Sequence, residues 1–164
     1  MTGVVRIERC ELQAKEAIAN LMQLYLYDLC EFEDGPLDEK GQFDLGAYFE
    51  LYWAEPERHP FLIWVDGELA GFALVREMDV EAYSLTEFFI RRGRRRAGVG
   101  AIAATQLFDQ FRGKWQVAEL AYNVPAQAFW RRVIERYSEG RFSEEWSESQ
   151  PQGPMQVFSN KVVE

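Results

Sequence analysis

Residues 90–101 carry the sequence Ile90-Arg91-Arg92-Gly93-Arg94-Arg95-Arg96-Ala97-Gly98-Val99-Gly100-Ala101. An apolar run typical of a strand, Phe88-Phe89-Ile90, precedes this basic loop, and a helix-like pattern follows it. The first N–H groups of a helix lack partners within the helix, and the helix dipole favours negative charge at that end. Gly98 and Gly100 let the backbone approach a ligand closely because they have no Cβ atom. The segment therefore predicts an anion-binding site at a strand–loop–helix junction.

The size and composition of the chain predict one folded domain over residues 1–164. Of these 164 residues, 48% are hydrophobic and 15% are aromatic, which is enough for a sizeable core and argues against disorder. No apolar run approaches the ~20 residues that span a bilayer, and the N-terminus lacks the apolar segment of a signal peptide. We therefore expect a cytoplasmic protein that does not enter a membrane.

The charge distribution argues for a small anionic ligand and against nucleic acid. The net charge is −9, yet five of the six residues in Arg91–Arg96 are arginine. A single basic loop on an acidic chain indicates a local anion site, because a surface for polyanions would be basic over a whole face. A nucleic-acid-binding module is the least favoured function, and we expect no nucleic-acid partner.

The cysteine and histidine content predicts no metal site. Cys10 and Cys30 are too few for a metal cluster or a disulfide framework, and both are expected in one helical segment. The single histidine, His59, precedes Pro60 and has no cysteine or second histidine nearby in the sequence. We expect it to be structural or exposed.

The hydrophobic periodicity predicts the element order β-α-α-β-β-β-α-β-α-β-β and therefore a mixed sheet with helical crossovers. Helices are predicted at Ala14–Phe32, Leu45–Trp53, Gly98–Phe111 and Pro125–Tyr137. Strands are predicted at Val4–Glu8, Phe61–Val65, Leu69–Arg76, Leu85–Ile90, Gln116–Ala121, Gly140–Trp146 and Met155–Val162. Asp66-Gly67 predicts a hairpin turn between two of these strands. Asn123 is the expected N-cap of the last helix.

Three features in register resemble the GNAT-type N-acetyltransferase superfamily. Arg95–Gly100 matches the family's Arg/Gln-x-x-Gly-x-Gly/Ala signature, and the preceding strand ends at Ile90, eight residues before Gly98. Asn123–Trp130 is similar to the family's Asn-x-x-Ala-x-x-Phe-Tyr segment. The detailed resemblance covers Thr86–Val133. It implies the acyl-CoA N-acyltransferase fold, an α/β fold with a central mixed, mostly antiparallel sheet that is splayed in the middle and flanked by about four helices.

The resemblance implies acetyl-CoA as co-substrate, an amine as acceptor, and no metal. Pantetheine would pair with the strand edge formed by Phe88, Phe89 and Ile90. The pyrophosphate would bind to the loop and helix start formed by Arg95, Arg96, Ala97, Gly98, Val99, Gly100 and Ala101. The later family segment would add contacts from Asn123, Phe129 and Trp130, although core packing is an equally good expectation for Trp130.

Transfer to an amine needs a neutral nucleophile, so a general base must take a proton directly or through water. Glu87 interrupts an apolar strand, where burial would raise its pKa, and it is the candidate base. The alternative is a strand residue that points to solvent. Trp130 stands where the family usually has a tyrosine acid, and indole cannot supply a proton. Either Tyr122 or Tyr137 replaces that acid, or the thiolate leaves unaided. Glu119 is expected to be a surface residue or an ion-pair partner.

The early part of the chain is expected to build the acceptor pocket. Acidic and aromatic groups together suit a cationic amine. The acidic candidates are Asp28, Glu31, Glu33, Asp34, Asp38 and Glu39. The aromatic candidates are Tyr25, Tyr27, Tyr48, Tyr52 and Trp53. The alternative is a solvated acidic loop, Glu31–Gly41, with the aromatic side chains in the core.

The sequence is compatible with more than one acceptor, function and oligomeric state. A small-molecule amine and a peptide amine both fit as acceptor. The missing tyrosine keeps a second function in view, a non-catalytic CoA-binding or regulatory domain of the same fold. Met155–Val162 could form an exposed sheet edge that pairs between subunits, so a homodimer is one expectation.

Overall fold

The structure, a computed structural model, describes residues 3–162. Within this part of the chain there are seven strands and three α-helices. The strands are β1 (Val5–Arg9), β2 (Arg58–Val65), β3 (Glu68–Asp79), β4 (Ala82–Ile90), β5 (Lys114–Ala118), β6 (Phe142–Ser147) and β7 (Gly153–Ser159). The helices are α1 (Lys15–Leu29), α2 (Val99–Gln110) and α3 (Val124–Ser138). Short 3-10 turns lie at Leu12–Ala14, Glu50–Trp53 and Arg92–Arg94.

The strands form one mixed sheet in the order β1-β2-β3-β4-β5-β7-β6. Antiparallel ladders join β1 to β2, β5 to β7, and β6 to β7. The ladder between β4 and β5 is parallel and covers Ala82–Ser84, after which β4 continues for six residues to Ile90. This topology confirms the predicted mixed α/β fold.

The fold divides into two compact units, and β3 and β4 run through both. The first unit contains the described residues up to Leu74 together with Glu87–Val99. The second contains Val75–Thr86 and the described residues from Gly100 onward. The expectation of one domain over residues 1–164 stays a prediction.

The core of the first unit forms between α1 and the strands. Apolar residues of α1 recur at helical spacing and are buried. The buried core residues of this unit include Ile18, Leu21, Met22, Leu62, Phe72, Leu74 and Phe89. Gly71 permits close contact between β3 and β4, because a Cβ atom there would lie 1.9 Å from the carbonyl oxygen of Phe89. A side chain at this position would force the two strands apart.

The core of the second unit is built around Phe108 of α2. Its ring makes edge-to-face contacts with Trp115 on β5 and Phe158 on β7, at centroid distances of 5.0 and 4.9 Å. Trp130 on α3 lies 6.4 Å from the same ring. Such aromatic pairs stabilise a core beyond their buried area, and they fix two helices on this part of the sheet.

Most predicted elements are confirmed with shifted ends, and the hairpin at Asp66-Gly67 has the two positive φ angles, 53° and 80°, that its turn type needs. The predicted helix Leu45–Trp53 is wrong. Only a 3-10 turn forms there among the described residues, so the described chain has three α-helices where about four were expected. Placing Cys10 and Cys30 in one helical segment was also wrong, because Cys10 precedes α1 and Cys30 caps its end. Both are free thiols.

The prediction of an exposed sheet edge at Met155–Val162 is wrong. The strand in this region, β7, pairs with β5 on one side and β6 on the other. Its backbone groups are therefore used within the chain, and a second subunit could not extend the sheet there. The homodimer itself stays a prediction without this support.

Within residues 3–162, no helix is long and apolar enough to cross a membrane. No group of three or more His, Cys, Asp or Glu residues there is arranged to hold a metal ion.

Candidate functional site

The loop from β4 to α2 combines left-handed residues with the start of a helix. After Ile90 the chain makes a 3-10 turn, and Arg96 and Gly98 then adopt left-handed conformations with φ of 67° and 78°. The helix begins at Val99. Turns that contain left-handed residues bring successive N–H groups to one side, and the first helical turn adds N–H groups without partners in the helix. Gly98 suits this geometry because a side chain is strained at that φ.

Asp28 of α1 binds two arginines of the loop. Its carboxylate makes ion pairs with Arg92, at 2.6 Å, and with Arg95. The Arg95 Nε–H also donates to the carbonyl oxygen of Ile90, at 2.6 Å. The Arg95 guanidinium lies 5.5 Å from the centroid of the Phe89 ring. These contacts fasten the loop to the end of β4.

Glu68 of β3 binds two further arginines of the loop. It pairs with Arg94, and with Arg91 at 3.4 Å. The Arg94 guanidinium beside it lowers the pKa of the Glu68 carboxyl. Four of the five loop arginines thus have a carboxylate partner, whereas Arg96 is exposed and has no ion pair with any residue from 3 to 162. Arg96 is the loop arginine with the most freedom to meet an external anion.

Glu87 of β4 is a carboxyl of the first unit with a raised pKa. It is half-buried, and the hydroxyl of Tyr25 on α1 donates a hydrogen bond to it. Burial raises the pKa of Glu87 to about 7, although the hydrogen bond from Tyr25 acts in the opposite direction. The pKa of Tyr25 lies well above its ordinary value because the residue is buried and faces this carboxylate. A carboxyl with a pKa near neutrality can exchange protons under ordinary conditions.

Tyr25 is fixed by aromatic packing. Its ring makes edge-to-face contacts with Phe72 and Phe89, at centroid distances of 5.7 and 5.9 Å. The rigid ring aims the hydroxyl at Glu87. Sequence reasoning placed Tyr25 in the wall of an acceptor pocket and did not connect it with Glu87, because 62 residues separate them in the chain.

The start of α3 follows the prediction. The Asn123 Oδ1 accepts a hydrogen bond from the N–H of Ala126, at 3.1 Å, which confirms this residue as the N-cap. Trp130 is 6% exposed and packs edge-to-face on Phe129 at 4.9 Å. This burial favours a packing role for the residue that replaces the family's tyrosine.

The two tyrosines considered as acids differ in environment. Tyr122 follows β5 and is 73% exposed. The Tyr137 hydroxyl donates to Asp109, at 2.8 Å, and accepts from the Nδ2 of Asn160, at 3.3 Å. Burial raises the pKa of Tyr137, which makes it a weaker acid. The hydrogen bonds of Tyr137 are those of a structural residue.

Glu119 was expected at the surface or in an ion pair, and the surface position is wrong. The residue is 4% exposed, and its Oε1 accepts a hydrogen bond from the Nε2 of Gln156 on β7, at 2.9 Å. Its Oε2 and the Oε1 of Gln156 are buried without a hydrogen-bond partner in the described chain. Burial raises the pKa of Glu119 to about 8. A proton on Glu119 supplies a donor where two acceptor oxygens otherwise lack one.

We expect Glu119→Gln to stabilise the protein increasingly as the pH rises. The pKa of Glu119 is above its unfolded value of about 4.5, so its favourable contribution is complete below pH 4.5 and is lost as the pH passes through 8. Glutamine stays neutral throughout and brings its own donor. Urea unfolding should show little difference from wild type near pH 4 and a gain of about 3–5 kcal/mol above pH 8, at ~1.4 kcal/mol per pKa unit.

Glu145→Gln on β6, where the side chain is exposed, is the matched control and should change the stability little at any pH. A difference between Glu119→Gln and wild type that stays constant from pH 4 to pH 9 would contradict this account of Glu119.

The aromatic residues expected to line an acceptor pocket are divided between core and surface. Tyr52 is buried, with the Arg58 guanidinium 5.3 Å from its ring centroid. The Trp53 Nε1–H donates to the carbonyl oxygen of Cys10, at 2.9 Å. Tyr27 and Tyr48 are exposed. Tyr52 is part of the core and Tyr25 packs against it, as the alternative of core aromatic residues beside a solvated acidic loop expects.

The comparisons with known proteins agree with the geometry of the glycine loop and its flanking elements. The acetyltransferase (GNAT) family model matches residues 20–134. The chain belongs to the GNAT acetyltransferase family. The match includes β4, the glycine loop, α2, β5 and most of α3. A comparison with curated protein sequences found no match.

Solved structures of GNAT acetyltransferases share the fold. An acetyltransferase from Thermus thermophilus is 17% identical, with a TM-score of 0.70 over 97% of this chain and 99% of that one. The ribosomal-protein-S18-alanine N-acetyltransferase of Escherichia coli is 15% identical, with a TM-score of 0.65 over 98% and 97%. The PaiA N-acetyltransferase of Thermoplasma acidophilum, in complex with coenzyme A, is 8% identical, with a TM-score of 0.62 over 95% and 99%.

Proposed function

We propose that this GNAT acetyltransferase uses acetyl-CoA to acetylate an amine, with Glu87 as the general base. The observation that carries the proposal is the half-buried Glu87 carboxyl, with a pKa of about 7, on the strand that leads into the glycine loop. Family membership supports the reaction class, and the left-handed backbone at Gly98 supports the binding of a diphosphate.

The chain offers three groups of contacts to acetyl-CoA. The backbone N–H groups from Arg95 to Ala101, with the exposed Arg96 side chain, would bind the pyrophosphate. The end of β4, Phe88–Ile90, would pair with the peptide-like pantetheine in an intramolecular form of strand addition. Contacts from Asn123, Phe129 and Trp130 are part of the same proposal.

The chemistry is direct transfer. The neutral amine attacks the thioester carbonyl carbon and forms a C–N bond, and the C–S bond then breaks. The proton lost by the attacking nitrogen goes to Glu87, directly or through water. An alkylamine is largely protonated at neutral pH, so a base must remove a proton from it. That base must itself be deprotonated at this pH and still be basic enough to accept the proton. A pKa near 7 meets both conditions.

The departing thiolate needs no tyrosine in this proposal. A thiol has a pKa of roughly 8.5, so its anion is a tolerable leaving group near neutral pH. The Tyr137 hydroxyl is engaged by Asp109 and Asn160, and Tyr122 is exposed to water. The acceptor is a small-molecule amine or a peptide amine.

The alternative is a CoA-binding domain without catalysis, and the buried Trp130 at the family's tyrosine position favours it. Release of free thiol from acetyl-CoA, measured with a panel of small amines, a polyamine and peptides with free N-termini, separates the two functions. We expect amine-dependent release well above hydrolysis. Tight CoA binding without turnover on any amine would establish the non-catalytic alternative instead.

A further inference from the structure

A cavity of about 240 Å³ lies between α2 and α3 in the second unit. Ala101, in the first turn of α2, is one of the residues that line it. The lining residues are Ala101, Thr105, Arg132, Val133, Arg136 and Tyr137. The cavity is smaller than the roughly 300–1,000 Å³ that a drug-sized ligand occupies, so it suits one fragment of a larger molecule.

The charged residues that line this cavity are Arg132 and Arg136, and the Asp109 carboxylate lies next to it, bonded to the Tyr137 hydroxyl at 2.8 Å. Neither Arg132 nor Arg136 makes an ion pair with any residue of the described range 3–162, whereas Arg131, on the same helix, binds Glu144 through two hydrogen bonds of 2.7 and 3.0 Å. The hydroxyls of Thr105 and Tyr137 are already donated to the carbonyl of Ala101 and to Asp109. Among the described side chains that line the cavity, the two guanidinium groups are therefore the donors without a partner in residues 3–162.

The spacing of these arginines indicates an anionic ligand. Arg132 and Arg136 are four residues apart, so they are neighbours on one face of α3 and their charges repel. Each guanidinium presents a planar fork of donors that suits a phosphate, and an anion between the two would also relieve their repulsion. Ala101 of the first turn of α2 also lines the cavity, so the positive end of a helix dipole lies close to it.

We propose that Arg132 and Arg136 bind the 3′-phosphate of the adenosine half of coenzyme A. This inference rests on the proposed function, in which the first turn of α2 holds the pyrophosphate of the same molecule. A phosphorylated ribose is a fragment of suitable size for the cavity. Four arginines of the β4–α2 loop pair with Asp28 and Glu68, and the fifth, Arg96, is proposed to bind the pyrophosphate. The pair on α3 is therefore the candidate for the 3′-phosphate.

The test compares coenzyme A with 3′-dephospho-coenzyme A, which lacks only that phosphate, by isothermal titration. Wild type should bind coenzyme A about 10- to 100-fold more tightly, as expected for charge-assisted hydrogen bonds to one phosphate. In Arg132→Ala and in Arg136→Ala this preference should fall severalfold, while the affinity for 3′-dephospho-coenzyme A stays close to that of wild type. Arg76→Ala, which removes an exposed arginine from β3, is the matched control and should keep the full preference.

The outcomes separate the two proposals. Equal affinity of wild type for the two molecules would overturn this inference and leave the proposed function intact. An equal loss of both affinities in the two variants would also overturn it, because the arginines would then act on a different part of the molecule or on the fold. Failure of wild type to bind either molecule would overturn the proposed function and this inference with it.

Discussion

Gly98→Glu is expected to reduce the affinity for acetyl-CoA by more than about 100-fold while the protein stays folded. Two physical effects combine at this position. The backbone at Gly98 has a φ of 78°, which a side chain tolerates poorly. The introduced carboxylate would also place negative charge at the start of α2, where the diphosphate is proposed to bind. Isothermal titration with acetyl-CoA measures the change, and circular dichroism checks the fold.

Two variants separate these effects. Gly98→Ala introduces the backbone strain without the charge and should lose less affinity than Gly98→Glu. Gly140→Glu makes the same substitution at a glycine with the same φ of 78°, at the end of α3, and should keep the affinity of wild type even if it is less stable. Unchanged binding of acetyl-CoA in folded Gly98→Glu would contradict the assignment of the loop as the diphosphate site.

The junction at residues 90–101 was predictable because its signals are local. Two glycines, a preceding apolar strand and a following amphipathic segment lie within about twenty residues, and each reflects a backbone requirement that acts over a few residues. The N-cap at Asn123 and the turn at Asp66-Gly67 were predictable for the same reason. Each is decided by a side chain or a φ angle within its own turn.

The errors arose where distant residues decide the outcome. Glu119 has apolar neighbours in the sequence, and its burial depends on Gln156, 37 residues later on another strand. The alternation of side chains along a strand defines two faces, but the local sequence does not show which face the rest of the chain buries. Asp28 and Glu68 could not be assigned to the arginine loop for the same reason, because 67 residues separate Asp28 from Arg95. The apolar spacing at Leu45–Trp53 is that of a helix. The segment is short, however, and Gly46 has a left-handed conformation with φ of 90°, so an α-helix does not form there.

Replacing the base should have the second large effect. Glu87→Gln keeps the size of the side chain and an oxygen that can accept the hydrogen bond from Tyr25, but it cannot take a proton. We expect kcat to fall by about 10²- to 10⁴-fold, the usual contribution of a general base, with little change in the affinity for acetyl-CoA. Glu77→Gln, at a half-buried carboxylate on β3, is the matched control and should retain activity. A kcat near that of wild type in Glu87→Gln would remove Glu87 from the mechanism.

The pH dependence provides an independent test of the same assignment. A base must be deprotonated to act, so kcat/KM of wild type should rise with pH around 7, the pKa of Glu87. The Tyr25 hydroxyl stabilises the carboxylate and lowers that pKa, so Tyr25→Phe should move the rise to higher pH. With one amine substrate for both enzymes, the titration of the amine is common to the two profiles and the difference belongs to the Glu87–Tyr25 pair. A rise that stays in place, or moves to lower pH, in a folded Tyr25→Phe variant would show that another group sets the profile.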